Sequence, residues 1–109
     1  MNTQTAIIRS LNDQLRRDFS HGIAVMTPGV AALGATVAER IFKTIAVFDD
    51  LCQANDPHNE GDFGSFKAEG HTIFFKIDYY DKAMTMHSPD PSNPAVTTRV
   101  ITIMLAEEY

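Results

Sequence analysis

At Phe63 the apolar period of the chain changes from about four to two, and this switch limits the fold more than any other feature of the sequence. Upstream, Ile7, Leu11, Leu15 and Phe19 recur every fourth residue, with Ile8 widening the stripe and Arg9, Asp13, Gln14, Arg16 and Arg17 lying off it. That spacing predicts an amphipathic helix over about 4–19, stopped before Ser20-His21-Gly22. Ile23 to Thr27 reads as a short edge strand, and Thr27-Pro28-Gly29 breaks it before a single turn at Val30 to Leu33 that ends at Gly34. Thr36-Val37-Ala38-Glu39 has the pattern of a reciprocal helix cap, followed by Val37, Ile41, Ile45 and Phe48 at helical spacing with Phe42 beside them. A second helix over 36–51 is expected.

Downstream, FGSFKA and HTIFFKIDYY alternate residue by residue, and Glu69-Gly70 between them is a two-residue hairpin turn. A weaker turn at Asp81-Lys82 leads to AMTMH as a third strand. These turns set the register. Phe66 falls opposite Ile73, Gly64 opposite Phe75 and Asp62 opposite Ile77, while Tyr79 faces Met84 and Ile77 faces Met86. Phe66, Ile73, Phe75, Ile77, Tyr79, Met84 and Met86 then share a face that needs a core. The other face carries Phe63, Ser65, Lys67, Phe74, Lys76, Asp78, Tyr80, Thr85 and His87. SPDPSNP at 88–94 is a stiff loop, with Asn93-Pro94 set to start a last helix over 94–107 whose buried side is Val96, Val100, Ile103 and Met104. With three amphipathic helices and one apolar sheet face, the economical arrangement is a two-layer α+β fold. Its sheet is antiparallel and three- to four-stranded, with three helices packed on one face. A chain of 109 residues holds one such core, so residues 1–109 are read as a single domain.

Composition narrows the function classes. The formal charge is −5, from 14 acidic against nine basic residues, with no basic run longer than Arg16-Arg17. Duplex nucleic acids are held by cations on phosphates, so nucleic-acid binding is disfavoured and a protein partner preferred. No apolar stretch reaches the roughly 20 residues of a membrane span. The opening MNTQTAIIRSLNDQLRR lacks the basic start and apolar block of a secretory leader, and the single Cys52 has no disulfide partner in the chain; both predict the cytoplasm. Cys52 has no flanking pattern of an activated thiol and reads as a small apolar residue. A homo-oligomer is compatible with everything in the composition.

Two constellations bear on chemistry. In NDPHNEGDFG (55–64), Asp56, His58, Glu60 and Asp62 fall at every second position. Counted from Asp56 as a calcium loop, Gly61 takes the sixth place, but His58 and Glu60 stand at the third and fifth and Lys67 at the twelfth, which excludes an EF-hand. Zinc sites draw on thiolates and several histidines, and this run has one histidine. Asn55-Asp56-Pro57 initiates a turn, and Pro57 and Gly61 both favour bends that would scatter the four side chains, so a structural connector is expected. A small enzyme or metal binder built on these four residues is the alternative. The second constellation is the polar sheet face, on which Phe63, Phe74, Lys76, Asp78, Tyr80 and His87 form a candidate partner-binding surface. The expected register sets Lys76 against His87 with Asp78 two residues on, a trio that could move protons. Charge pairs on a strand surface are ordinary stabilisers, however, and exposed Tyr and Phe mark protein contacts. An RNA-stacking platform would need the RNP pattern, which is absent. No G-x-S-x-G elbow, P-loop, H-E-x-x-H or C-x-x-C occurs, so no metal and no cofactor is expected. The reading is a non-enzymatic protein that works by protein contact.

The strings TPGVAAL, NDPHNEGDFG, FKIDYYD, SPDPSNP and TRVITIMLAEEY, in this order, resemble an alphaproteobacterial family of small proteins classified as a domain of unknown function. The resemblance covers nearly the whole chain. It implies no activity and no catalytic residue, and it suggests carriage on mobile DNA, where a regulator or inhibitor would fit. The family's loop has acidic and histidine positions, but where a further histidine is usual this chain has Gly61.

Overall fold

The computed structural model describes residues 3–48 and 60–109. The elements run α1 (Thr3–Asp18), β1 (Ile23–Met26), α2 (Pro28–Ala31), α3 (Ala35–Ala46), β2 (Phe63–Ala68), β3 (His71–Tyr80) and β4 (Thr98–Leu105), ending in a 3-10 turn at Ala106–Glu108. The four strands form one sheet in the order β1-β4-β3-β2. β2 and β4 are antiparallel to β3, whereas β1 lies parallel to β4, so the sheet is mixed rather than wholly antiparallel.

The β2–β3 hairpin has the expected register, with Phe66 opposite Ile73 and Gly64 opposite Phe75, and Ile77 N donating to Asp62 O at 2.8 Å. Glu69 and Gly70 both have positive φ, at 52° and 81°, the paired left-handed geometry that matches the twist of a tight hairpin. Ile73, Phe75, Ile77 and Tyr79 of β3 join Ile101, Ile103 and Leu105 of β4 on the buried face. Ile8 and Leu15 of α1, Val30 of α2 and Ile41 and Ile45 of α3 close over them. All three helices therefore pack on one face of the sheet.

Two expected elements are overturned. Residues 94–107 are not a helix: 98–105 form β4, an inner strand between β1 and β3. TRVITIML has buried residues on both sides, so its apolar run lacks the alternation of a half-exposed strand and mimics a helical stripe. Its five β-branched residues (Thr98, Val100, Ile101, Thr102 and Ile103) favour the pleated state. Asn93 caps no helix; its side chain accepts from Ala95 N at 2.9 Å within the loop.

AMTMH is likewise not a strand of the meander. Asp81 accepts from Thr85 N at 2.9 Å, Met84 takes a positive φ of 60°, and Met84 and Met86 are exposed. Only the isolated pair Tyr80 and His87 bridges back to β3, so Tyr79 does not face Met84, nor Ile77 face Met86. The place beside β3 is taken by β4.

The helix faces also differ from expectation. α1 buries Ile8, Asn12, Leu15 and Arg16, one position round from the stripe through Ile7 and Leu11, and Ile7 is exposed. α3 begins at Ala35 after Gly34, with no side-chain capping bond, so Thr36 and Glu39 do not form the expected reciprocal cap. Glu39 pairs instead with Lys43 at 3.2 Å. The expected extension of this helix through Leu51 and Cys52 lies outside the described residues.

Candidate functional site

Of the four loop residues, Asp56 and His58 lie outside the described residues. Glu60 and Asp62 are drawn into the fold. Tyr79 O–H donates to the Glu60 carboxylate at 2.8 Å, and the Asp62 carbonyl takes the Ile77 amide. Among the described residues no group of three or more His, Cys, Asp or Glu side chains is placed to hold a metal ion. Glu60 belongs to a buried polar network that residue spacing did not predict. Asn12, wholly buried in α1, donates from Nδ2 to Tyr79 Oη at 2.7 Å and to the Glu60 carbonyl at 2.9 Å. Its Oδ1 accepts from Arg99 Nε at 2.9 Å. Arg99 is 3% exposed, donates from Nη2 to the Pro91 carbonyl, and lies with its guanidinium carbon 5.2 Å from the centre of the Tyr79 ring.

The network ties α1, the entry to β2, the end of β3, the 88–97 loop and the start of β4 to one another. Burial pushes the Tyr79 hydroxyl well above the usual tyrosine range against the opposing Asn12 bond, so it stays neutral and serves as donor to Glu60. Desolvation lowers the Arg99 guanidinium. Such groups persist in an interior only when they are hydrogen-bonded, because an unpaired one costs far more than a bond returns.

A second buried cation, Arg16, donates from Nη1 to the Phe48 carbonyl at 2.8 Å and pairs through Nη2 with Asp13. It caps the end of α3 from the side.

The six residues of the candidate sheet surface separate into two groups. Phe63 and Phe74 pack at 5.3 Å between ring centres, and the Tyr109 ring meets both edge-on at 6.0 and 5.7 Å. Lys76 and Asp78 pair at 3.4 Å with both side chains about two-fifths exposed, a contact of little energetic worth. His87 does not lie opposite Lys76, because β4 occupies that side of β3; it bridges Tyr80 and meets the Tyr79 ring at 6.2 Å. The expected Lys76–Asp78–His87 trio is therefore not assembled. Asp62, Asp78, Tyr80 and His87 do line one shallow cavity of about 270 Å³ at the end of β3.

No described helix covers this face, although Val100 and Met104 of β4 are buried on it. Along its margin β1 exposes all four of its residues, with Ile23 at 44%, Val25 at 43% and Met26 at 40%. No described helix is long and apolar enough to cross a membrane.

The fold and its surfaces define an α+β protein with a single helical layer, an open sheet face and a buried arginine network. The chain belongs to the family described as Protein of unknown function (DUF3768), whose model matches residues 26–108. The matched stretch begins at the end of β1 and leaves α1, with Asn12 and Arg16, outside it. No curated protein and no solved structure matches the chain.

Proposed function

We propose that the protein is non-enzymatic and acts through protein contact, using the open sheet face and the free edge of β1, with a second copy of the chain as its first partner. The observation that carries this reading is the edge itself. Thr27 N donates to the Ile103 carbonyl at 3.0 Å, which fixes the parity of the strand: Ile23 and Val25 turn their backbone groups to β4, and Ala24 and Met26 turn theirs outward. An edge of Ile-Ala-Val-Met, with no charge and no proline, lacks the devices that keep sheet edges apart.

Antiparallel pairing about a two-fold axis at Val25 sets Ala24 against Met26 of the second copy, with both outward amides and carbonyls satisfied. Charge favours this occupant. His21 and Lys82 border the start of β1, while Glu108 is held at its end by Thr27 Oγ1 at 2.6 Å and Gly29 N at 2.9 Å. The two-fold brings the basic end of each strand to the acidic end of the other and joins both open faces into one platform. A regulator or inhibitor carried on alphaproteobacterial mobile DNA is the biological form that such a platform would serve.

The test is covalent. In a Cys52→Ser background, Val25→Cys places thiols on directly opposed residues, within disulfide reach, and should cross-link on mild oxidation, while Ile23→Cys should not. Val25→Lys should leave a monomer by light scattering. A parent that is monomeric at its highest soluble concentration, or a dimer that survives Val25→Lys, overturns the proposal.

A further inference from the structure

We infer that the protein binds a small organic anion, a carboxylate or a phosphate ester, in the cavity beside Arg99. The cavity, about 450 Å³, opens where the second half of α1, the start of β1 and the start of β4 meet. Its wall includes His21, Lys82 and Arg99 together with the hydroxyl-bearing Thr98 and the amide of Gln14, and no carboxylate lines it among the described residues. Leu11 and Ile23 supply an apolar side. Four nitrogen-bearing side chains gathered around one space, with apolar wall on the other side, suit a ligand with an anionic head and a short hydrocarbon body.

Arg99 makes this more than a patch of surface charge. Its side chain is almost wholly buried, yet it has no carboxylate in contact among the described residues. Nε is used by Asn12 and Nη2 by the Pro91 carbonyl. A guanidinium on the wall of a cavity whose described lining carries no carboxylate favours an anion there. The rest of the network suits a binding role, because Asn12 and Pro91 fix the plane of the guanidinium and so pre-organise it. His21 sits on a backbone with φ of 62°, in the turn that follows α1, where it borders the cavity rather than the core. Asp18 lies near enough to His21 to interact with it electrostatically, so His21 contributes less positive field than Lys82 and Arg99 do.

The site shares Ile23 with the β1 edge but does not depend on pairing, so the two proposals fail separately. The experiment is a titration of ¹⁵N-labelled protein with inorganic phosphate and, in a separate arm, with hexanoate, each at constant ionic strength against sodium chloride. Saturable shifts of the Gly22, Ile23, Thr98 and Arg99 backbone amides in either arm are expected, and the arm that saturates first identifies the head group. Lys82→Ala and Thr98→Val, both at exposed or half-exposed positions, should weaken that affinity several-fold while leaving the spectrum folded. Arg99→Lys, which keeps the charge but loses the planar fork, should weaken it further. Shifts that never saturate, that are matched by chloride, or that are unchanged in Lys82→Ala and Thr98→Val overturn the site.

Discussion

Replacing Asn12 by alanine should be among the most damaging single changes in the chain, although hydropathy places no value on a polar residue at that position. Its side chain makes three hydrogen bonds, to Tyr79 Oη, the Glu60 carbonyl and Arg99 Nε, in a position with no solvent exposure. Two neutral bonds are worth about 1 kcal/mol each and one to a charged group about 2, so the loss is about 4 kcal/mol. Against a domain stability of roughly 5–15 kcal/mol, that is a large share. With a urea dependence of about 1.5 kcal/mol per molar, the unfolding midpoint should fall by roughly 2–3 M.

Asn12→Asp separates the components. It keeps the acceptor for Arg99 and gives it an ion pair, but loses the donor to Tyr79 and Glu60, so it should lie between parent and alanine. Tyr79→Phe combined with Asn12→Ala should cost less than the sum of the two, since they remove the same bond. Urea melts followed by circular dichroism measure all of these. If Asn12→Ala costs no more than Ser10→Ala on the exposed side of the same helix, the network is not holding the fold and the reasoning fails.

Gly64→Ala should destabilise by about 1–3 kcal/mol or more, because an added Cβ would lie 2.3 Å from the Phe75 ring and 2.6 Å from that of Phe48; a neutral effect in thermal melts would mean this packing is looser than described. Thr36→Ala should change stability by less than about 0.5 kcal/mol, since no side-chain bond caps α3, and a loss near 1 would restore the reciprocal cap. Glu108 has its carboxyl held below the usual range by Thr27 Oγ1 first, then by the Leu105 and Gly29 amides. A depressed folded-state value contributes stability above the ordinary glutamate range, about 4.3, and that contribution is lost as pH falls through the lower folded value. Glu108→Gln should therefore be less stable than the parent at neutral pH, with the gap closing in acid; a gap that is constant across pH would refute the assignment.

The parts of the fold that were legible from sequence are those in which one side chain in two meets water. β3 alternates buried and half-exposed residues from Thr72 to Tyr80, and the turn at Glu69-Gly70 then sets its pairing with β2 without reference to anything distant. β4 was misread for the opposite reason. Both of its faces are buried, with Val100 and Met104 on the face opposite Ile101, Ile103 and Leu105. A strand buried on both faces loses the contrast that separates a period of two from one near four. What distinguishes TRVITIML from a helix is its β-branched composition, together with the proline-rich loop that isolates it from the preceding hairpin. Once 98–105 is a strand, the place beside β3 is filled, and the 82–86 segment has no ladder to join.

The site was hidden by distance rather than by lack of pattern. Asn12 and Arg99 are separated by 87 positions, and Asn12 and Tyr79 by 67, so no short window along the chain joins Asn12 to either partner. Tyr79 was placed on the buried face by alternation, which raises a question that hydropathy leaves open: a buried phenol needs a partner for its hydroxyl. A polar residue on the helix above the sheet is the natural supplier. Moving the helical stripe one position, so that Ile8, Asn12 and Leu15 face inward in place of Ile7 and Leu11, provides that residue at the cost of one apolar contact. The same shift leaves Leu11 on the wall of the Arg99 cavity and Ile7 in solvent. The polar requirement of one strand residue thus selects the rotation of a distant helix, and that rotation decides which side chains are left to line the cavity.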